Sequence, residues 1–204
     1  MNIKAIVFDY GNVISLPQDP KTVDRLAERA GAGKKKFETT LWALRGEYDR
    51  GTLSSREYFK KVLSSLGISL DDNKIDEMAE IDFMSWRNIN EGTAQLMKEV
   101  KDSGLTLGIL SNMPHEFLAW ARKNIPVFSL PQVSIFSCEE NLIKPEKAIY
   151  ETLLKRLGLE SGQIIFFDDN ADNIKSAQSM GIKAILWESP EKARQDLLSL
   201  GIRL

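Results

Sequence analysis

Apolar residues recur along this chain in two rhythms. Five short unbroken runs, Ile3–Phe8, Leu105–Leu110, Val133–Phe136, Ile164–Phe167 and Ala184–Trp187, have the length and content of strands buried on both faces. Around the last four the rhythm becomes helical. Glu91–Ser103 carries Leu96, Met97 and Val100 on one side, and Pro114–Lys123 opens with a helix-starting proline. Pro145–Leu157 carries Ile149, Leu153 and Leu154 and stops at Gly158, and Asn170–Met180 stops at Gly181. This alternation predicts an α/β fold, a Rossmann-like doubly wound parallel sheet with right-handed crossovers. Such sheets bind ligands beyond the carboxyl ends of their strands. There stand Asp9, Ser111 with Asn112, Lys144 just past the third strand, and Asp168 with Asp169.

The stretch 16–90 breaks the alternation. It reads as four amphipathic helices, Lys21–Ala30, Lys35–Tyr48, Ser55–Leu66 and Asp71–Trp86, punctuated by Gly31, Gly33, Gly51 and Gly67. Ser54 or Ser55 is placed to cap the third. The expected organisation is a core of 1–15 and 91–204 with a helical unit, 16–90, inserted after the first strand. Linkers near Ser15–Pro20 and Asn88–Gly92 would let that unit open and close, with Pro17 and Pro20 stiffening the first. Within the insertion, Trp42 reads as a core anchor, and Phe83 with Trp86 as the closure of its own core. Arg45 and Arg50 are candidates to reach a substrate, or else packing and solvated charge.

Composition narrows the field. A net charge of −2 gives no field that favours nucleic acid or an anionic membrane, and Lys34–Lys36 reads as a solvated helix start. No apolar run reaches membrane-spanning length. The first residues lack the apolar stretch and cleavage site of a signal peptide, so a cytoplasmic location is expected. The single Cys138 permits no internal disulfide, and with only one histidine, His115, a zinc site is not expected.

The strand ends carry the chemistry. Ile6-Val7-Phe8 lead into Asp9 and a glycine-containing turn. A carboxylate ending a buried strand serves as a turn residue or needs a compensating partner such as a metal ion. Phe166-Phe167 lead into Asp168-Asp169, adjacent like charges that a cation between them would reconcile, or that would cap the next helix. Hard carboxylate oxygens select Mg²⁺. Ser111-Asn112 at a helix start can hold phosphate or cap the helix, and Lys144 offers a point charge to phosphate oxygens or marks a surface turn.

In this order, the four segments resemble the four motifs of the haloacid dehalogenase (HAD) superfamily, over nearly the whole chain. Phe8-Asp9-Tyr10-Gly11-Asn12-Val13-Ile14 and Phe167-Asp168-Asp169-Asn170-Ala171-Asp172-Asn173 are similar to subfamily IA. The likeness is to a bacterial glucose-1-phosphate phosphatase branch and to the N-terminal phosphatase domain of epoxide hydrolases. The resemblance implies a Mg²⁺-dependent phosphatase acting on a small phosphorylated metabolite; the sequence is compatible with a monomer or a homodimer. It makes Asp9 the nucleophile and a metal ligand, with the Gly11 carbonyl and Asp169 as further ligands and Asp168 near the metal. Ser111 and Asn112 would hold the phosphoryl oxygens, Lys144 would neutralise charge on Asp9 and phosphate, and Asn173 would anchor Lys144 or the loop.

This chain departs from the pattern at two positions. Most phosphatases of the superfamily carry a second aspartate, a general acid and base, where Gly11 stands, and Asn12 occupies a place where glycine is usual. Loss of a general acid costs about 10²–10⁴ in rate. A sugar 1-phosphate or acyl phosphate, with its better leaving group, would suffer less, and His115 is a candidate substitute. Two other readings stand beside the phosphatase. One is a metal-independent 2-haloacid dehalogenase, although those enzymes usually carry serines where Asp168 and Asp169 stand. The other is a binding or regulatory module that has lost catalysis.

Overall fold

The structure is a computed structural model describing residues 2–204. After β1 (Ala5–Phe8) come four helices, α1 (Lys21–Ala30), α2 (Lys34–Asp49), α3 (Ser55–Ser65) and α4 (Asp72–Ser85). Then follow α5 (Glu91–Asp102), β2 (Thr106–Ser111), α6 (His115–Asn124), β3 (Val133–Phe136), a short α7 (Ser137–Glu140) and α8 (Lys147–Leu157). β4 (Ile164–Asp168), α9 (Ala171–Ser179), β5 (Lys183–Leu186) and α10 (Pro190–Ser199) complete the chain. The predicted strands and helices are present with ends shifted by a residue or two, whereas α7 and α10 were not foreseen.

The five strands form one parallel sheet in the order β3-β2-β1-β4-β5. Alternation along β1 sends Ala5 and Val7 to one face and Ile6 and Phe8 to the other. Leu96, Met97 and Val100 of α5, with Ala193 and Leu197 of α10, cover the Phe8 face. Ile149, Tyr150 and Leu153 of α8, with Ile174 of α9, cover the Val7 face. Phe8, Phe166 and Phe167 are almost wholly buried, each worth about 1.5–3 kcal/mol of transfer free energy.

The sheet order reverses between β1 and β4, because the chain builds outward to β3 on one side and to β5 on the other. Side-chain-lined crevices form at such reversals. Phe8 pairs with Phe167, and the Asp9 N–H donates to the Phe167 carbonyl at 2.9 Å. Asp9 and Asp168 therefore leave the sheet level with one another.

Helices α1–α4 close over their own apolar cluster, which includes Leu26, Phe37, Leu41, Tyr58, Phe59 and Met78. Ser54 starts α3 with a capping box shared with Glu57, and Asp71 caps α4. The two linkers lie side by side: Ser15 pairs with Ile89, Leu16 N–H donates to the Asn88 carbonyl at 2.8 Å, and Asn90 N–H to Ile14 at 2.9 Å. Three aromatic residues depart from expectation. Trp42 is 42% exposed and does not belong to the cap's core. Phe83 and Trp86 pack instead on the cluster of the sheet side, with Phe83 edge-on to Phe117 and Trp120 at 5.4 Å. Among the described residues no helix is long and apolar enough to cross a membrane.

Candidate active site

The turn after β1 sets the first acidic group. Asp9 is 7% exposed, and its Oδ1 accepts the Tyr10 N–H at 2.7 Å. Asn12 has φ +58°, the left-handed region that asparagine tolerates better than other side chains. Its N–H donates to Ser15 Oγ at 3.1 Å, and its side chain adds a bond that glycine could not make, Nδ2 to Asp169 Oδ2 at 2.7 Å.

Lys144 joins the two acidic strand ends. Its Nζ lies 2.8 Å from Asp9 Oδ1 and 2.6 Å from Asp168 Oδ2, and the residue is buried. Asp168 Oδ1 accepts from the Asn170 N–H at 2.8 Å, and Asn173 Nδ2 donates to both Asp168 oxygens at 3.0 Å. The roughly four lone-pair sites of the Asp168 carboxylate are thus filled by protein. Asn173 anchors Asp168 rather than Lys144 itself. The Lys144 backbone is gripped by Asn112, whose Nδ2 donates to the Lys144 carbonyl at 3.0 Å and whose Oδ1 accepts the Lys144 N–H at 2.8 Å. The Asn112 amide thus engages the Lys144 backbone through both its nitrogen and its oxygen, while Asn112 also lines the cavity. Ser111 Oγ makes only a 3.5 Å contact with the Asn112 carbonyl, so its hydroxyl keeps its donor for a ligand.

Asp9, Gly11, Asn112, Lys144, Asp169 and Asn173 line one cavity of about 220 Å³, whereas Ser111 and Asp168, both buried, do not line it. Carboxylate oxygens of Asp9, Asp168 and Asp169 lie within 4.8 Å of one another, a group able to hold a metal ion. Burial pushes the Asp9 carboxyl up to about 7, against the pull of Lys144. Burial likewise raises Asp169, opposed by the Asn12 bond. For Lys144, burial disfavours the ammonium, but Asp168 and Asp9 more than offset it and hold it above its ordinary value. Asp9 Oδ2 accepts no hydrogen bond from the described residues, and Asp169 keeps only the Asn12 side-chain bond. Oxygen donors with unfilled positions, among three carboxylates that share one ammonium, suit a hard divalent cation.

The cap supplies the opposite wall. Trp42, Arg45 and Asp49 stand at i, i+3 and i+7 of α2 and face the cavity, while Phe37 and Leu41 face the cap core. Arg45 Nε donates to Asp49 Oδ1 at 2.8 Å and its Nη1 donates to both oxygens of Asp82 at 3.1 and 2.9 Å. The guanidinium lies 5.2 Å from the Tyr48 ring centroid and 5.8 Å from that of Trp42. This helical stripe was the sequence signal for the cap wall; Asp49, which lies on it, and Asp82, on α4, were not recognised. Arg50 does not line the cavity: it pairs with Glu146, at 2.5 and 3.0 Å, and ties the cap to the core.

His115 also stands apart. It begins α6 and packs on Gly51, where an added Cβ would meet its Nε2 at 2.7 Å, and it does not line the cavity. Cys138 is buried, and burial pushes its thiol up to about 12.

These features are those of one family. The family profile described as haloacid dehalogenase-like hydrolase matches residues 3–181. The chain belongs to that family of hydrolases. It is 25% identical to Phosphatase MT3486 of Mycobacterium tuberculosis over 98% of this chain and 96% of that protein. It is also 25% identical to an (S)-2-haloacid dehalogenase of Pseudomonas putida, over 97% of this chain and 89% of that one. A stretch covering 52% of this chain is 33% identical to mouse Acyl-CoA dehydrogenase family member 10, but spans only 10% of that protein. Among solved structures, a HAD family enzyme of Bacteroides thetaiotaomicron in complex with magnesium and inorganic phosphate superposes with a TM-score of 0.72 at 20% identity, over 91% of this chain and 94% of that one.

Proposed function

We propose that this hydrolase is a Mg²⁺-dependent phosphatase that cleaves a small phosphomonoester, with a sugar phosphate as the favoured class, through an aspartyl phosphate on Asp9. The observation that carries the reading is the convergence of the Asp9, Asp168 and Asp169 carboxylates around one point with Lys144 beside them. The names and complexes of the phosphatase relative and of the magnesium- and phosphate-bound structural neighbour support it.

In this reading Asp9, the Gly11 carbonyl and Asp169 hold the metal, while Asp168 is spent on orienting Lys144. When bound, Mg²⁺ would neutralise charge on the transferring phosphoryl group and its nucleophile. An oxygen of the Asp9 carboxylate attacks phosphorus, and the bond to the leaving oxygen breaks. Lys144 and the Ser111 hydroxyl stabilise charge on the phosphoryl oxygens, and the Asn112 clamp fixes where Lys144 stands. Water then cleaves the acyl phosphate and restores Asp9.

The charge on the cap wall argues against the dehalogenase alternative. A 2-haloacid brings a carboxylate that needs a cationic partner. The cations lining the cavity are Lys144, held between two aspartates, and Arg45, held by Asp49 and Asp82. A neutral hydroxylated leaving group fits this wall better than a second anion. A panel of sugar phosphates, nucleotides and FMN, each with Mg²⁺ or with chelator, tests the reading. Metal-dependent release of phosphate that an Asp9→Asn variant lacks supports it. Chelator-insensitive chloride release from 2-chloropropionate would replace it with the dehalogenase.

A further inference from the structure

We infer that Asp49, on the cap helix α2, is the general acid and base of the reaction, in place of the aspartate that Gly11 omits. The inference rests on the phosphatase reading above. Its first support is position. Gly11 places no side chain in the cavity, and a Cβ there would make only an ordinary contact, 3.7 Å, with Trp86 Cζ3, so the indole of the cap borders this side of the site. Trp86 is pinned there, because the Tyr10 hydroxyl donates to its carbonyl at 2.7 Å.

The second support is elimination among the groups that line the cavity. Asp9 and Asp169 are assigned to the nucleophile and metal, and Lys144 is locked between carboxylates. Asp82 has both oxygens on Arg45. The Tyr10 hydroxyl is used on Trp86, and burial holds the Tyr10 and Tyr48 phenols far above neutrality. Asp49 alone among these carboxylates is unassigned and keeps an oxygen, Oδ2, with no hydrogen bond to the described residues. Its side chain is 14% exposed, enough to meet a ligand in the cavity.

The third support is placement. The Asp49 carbonyl accepts from Ser137 Oγ, and the same hydroxyl accepts the Met113 N–H at 2.9 Å. One serine thus fixes the end of α2 against the loop that follows Ser111 and Asn112. Burial raises the Asp49 carboxyl above its ordinary value, opposed by Arg45, which favours a protonated fraction larger than an exposed aspartate would hold. As Asp9 attacks, the Asp49 proton passes to the leaving oxygen. In the second half, the Asp49 carboxylate takes a proton from the water that attacks the acyl phosphate, and the group returns to its starting state.

Leaving-group dependence tests this role. Nitrophenolate departs without a proton, whereas a sugar alkoxide needs one. For Asp49→Asn, with Mg²⁺ present, single-turnover cleavage of a sugar phosphate should fall about 10²–10⁴-fold. The burst of nitrophenol from p-nitrophenyl phosphate should fall less than about 10-fold, and phosphorylated Asp9 should then persist because its hydrolysis lacks a base. Equal losses for both substrates, or no loss, would overturn the inference and leave the phosphatase reading intact. A wild-type protein that forms no phosphoenzyme with either substrate would overturn both. Should Asp49→Asn fail to fold, Asp49→Glu keeps the charge on Arg45 and displaces the carboxyl by one methylene; it should show the same selective loss on the sugar phosphate, and equal losses would count against the role.

Discussion

Asn112 and Lys144 grip one another through two reciprocal hydrogen bonds, amide to carbonyl and N–H to amide oxygen, at 3.0 and 2.8 Å. This pair joins the loop after β2 to the loop between α7 and α8 and fixes where the ammonium meets Asp9. Asn112→Ala leaves both Lys144 backbone groups without these partners. The expected cost is about 1–3 kcal/mol in urea unfolding, together with a fall in kcat exceeding any rise in KM.

Lys144 itself compensates two carboxylates that are almost sealed from water. Lys144→Met should destabilise the metal-free protein by about 3–5 kcal/mol, measured by denaturant unfolding, because buried charges lose their partner. Added Mg²⁺ should recover part of that loss by supplying a replacement charge.

Asn12 separates conformation from contact. Asn12→Gly keeps access to φ +58° and loses only the Asp169 bond, whereas Asn12→Ala loses the bond and strains the backbone. Alanine should therefore be less stable than glycine by about 1 kcal/mol in thermal unfolding. Both variants should bind Mg²⁺ more weakly than the wild type, because Asp169 loses its orienting partner.

Trp42 stands at the cavity rather than in the cap core. Trp42→Ala should change stability by no more than about 0.5 kcal/mol and act on KM across the substrate panel. A loss of several kcal/mol would restore the core-anchor assignment.

The contrast between Trp42 and β1 shows what the chain reveals unaided. Ile6-Val7-Phe8 before Asp9 is legible because a strand buried on both faces admits one residue type throughout, and the polar break marks its end. The same holds for Phe166-Phe167 before Asp168. Helix α2 is harder because it serves two neighbours: Phe37 and Leu41 turn to the cap core, and Trp42, one residue on, turns some 100° away to the cavity. An aromatic residue on such a helix carries no mark of which neighbour it meets. Phe83 and Trp86 were assigned to the wrong core for the same reason, since the end of α4 leans on α6. Asp168 shows a third limit. Its place beside Asp169 pointed to the metal, and its carboxylate does lie with those of Asp9 and Asp169, but its bond to Lys144, 24 residues away, leaves no mark in the local sequence.

The central claim is that Asp9 takes up a phosphoryl group at a site completed by a divalent cation. Acid-quenching the protein during turnover of a sugar phosphate, followed by peptide mass analysis, tests it directly. The account predicts one added phosphoryl group on the peptide containing Asp9, present with Mg²⁺ and absent with chelator. An unmodified Asp9 peptide during measurable phosphate release, or a phosphoryl group on any other residue, would contradict it.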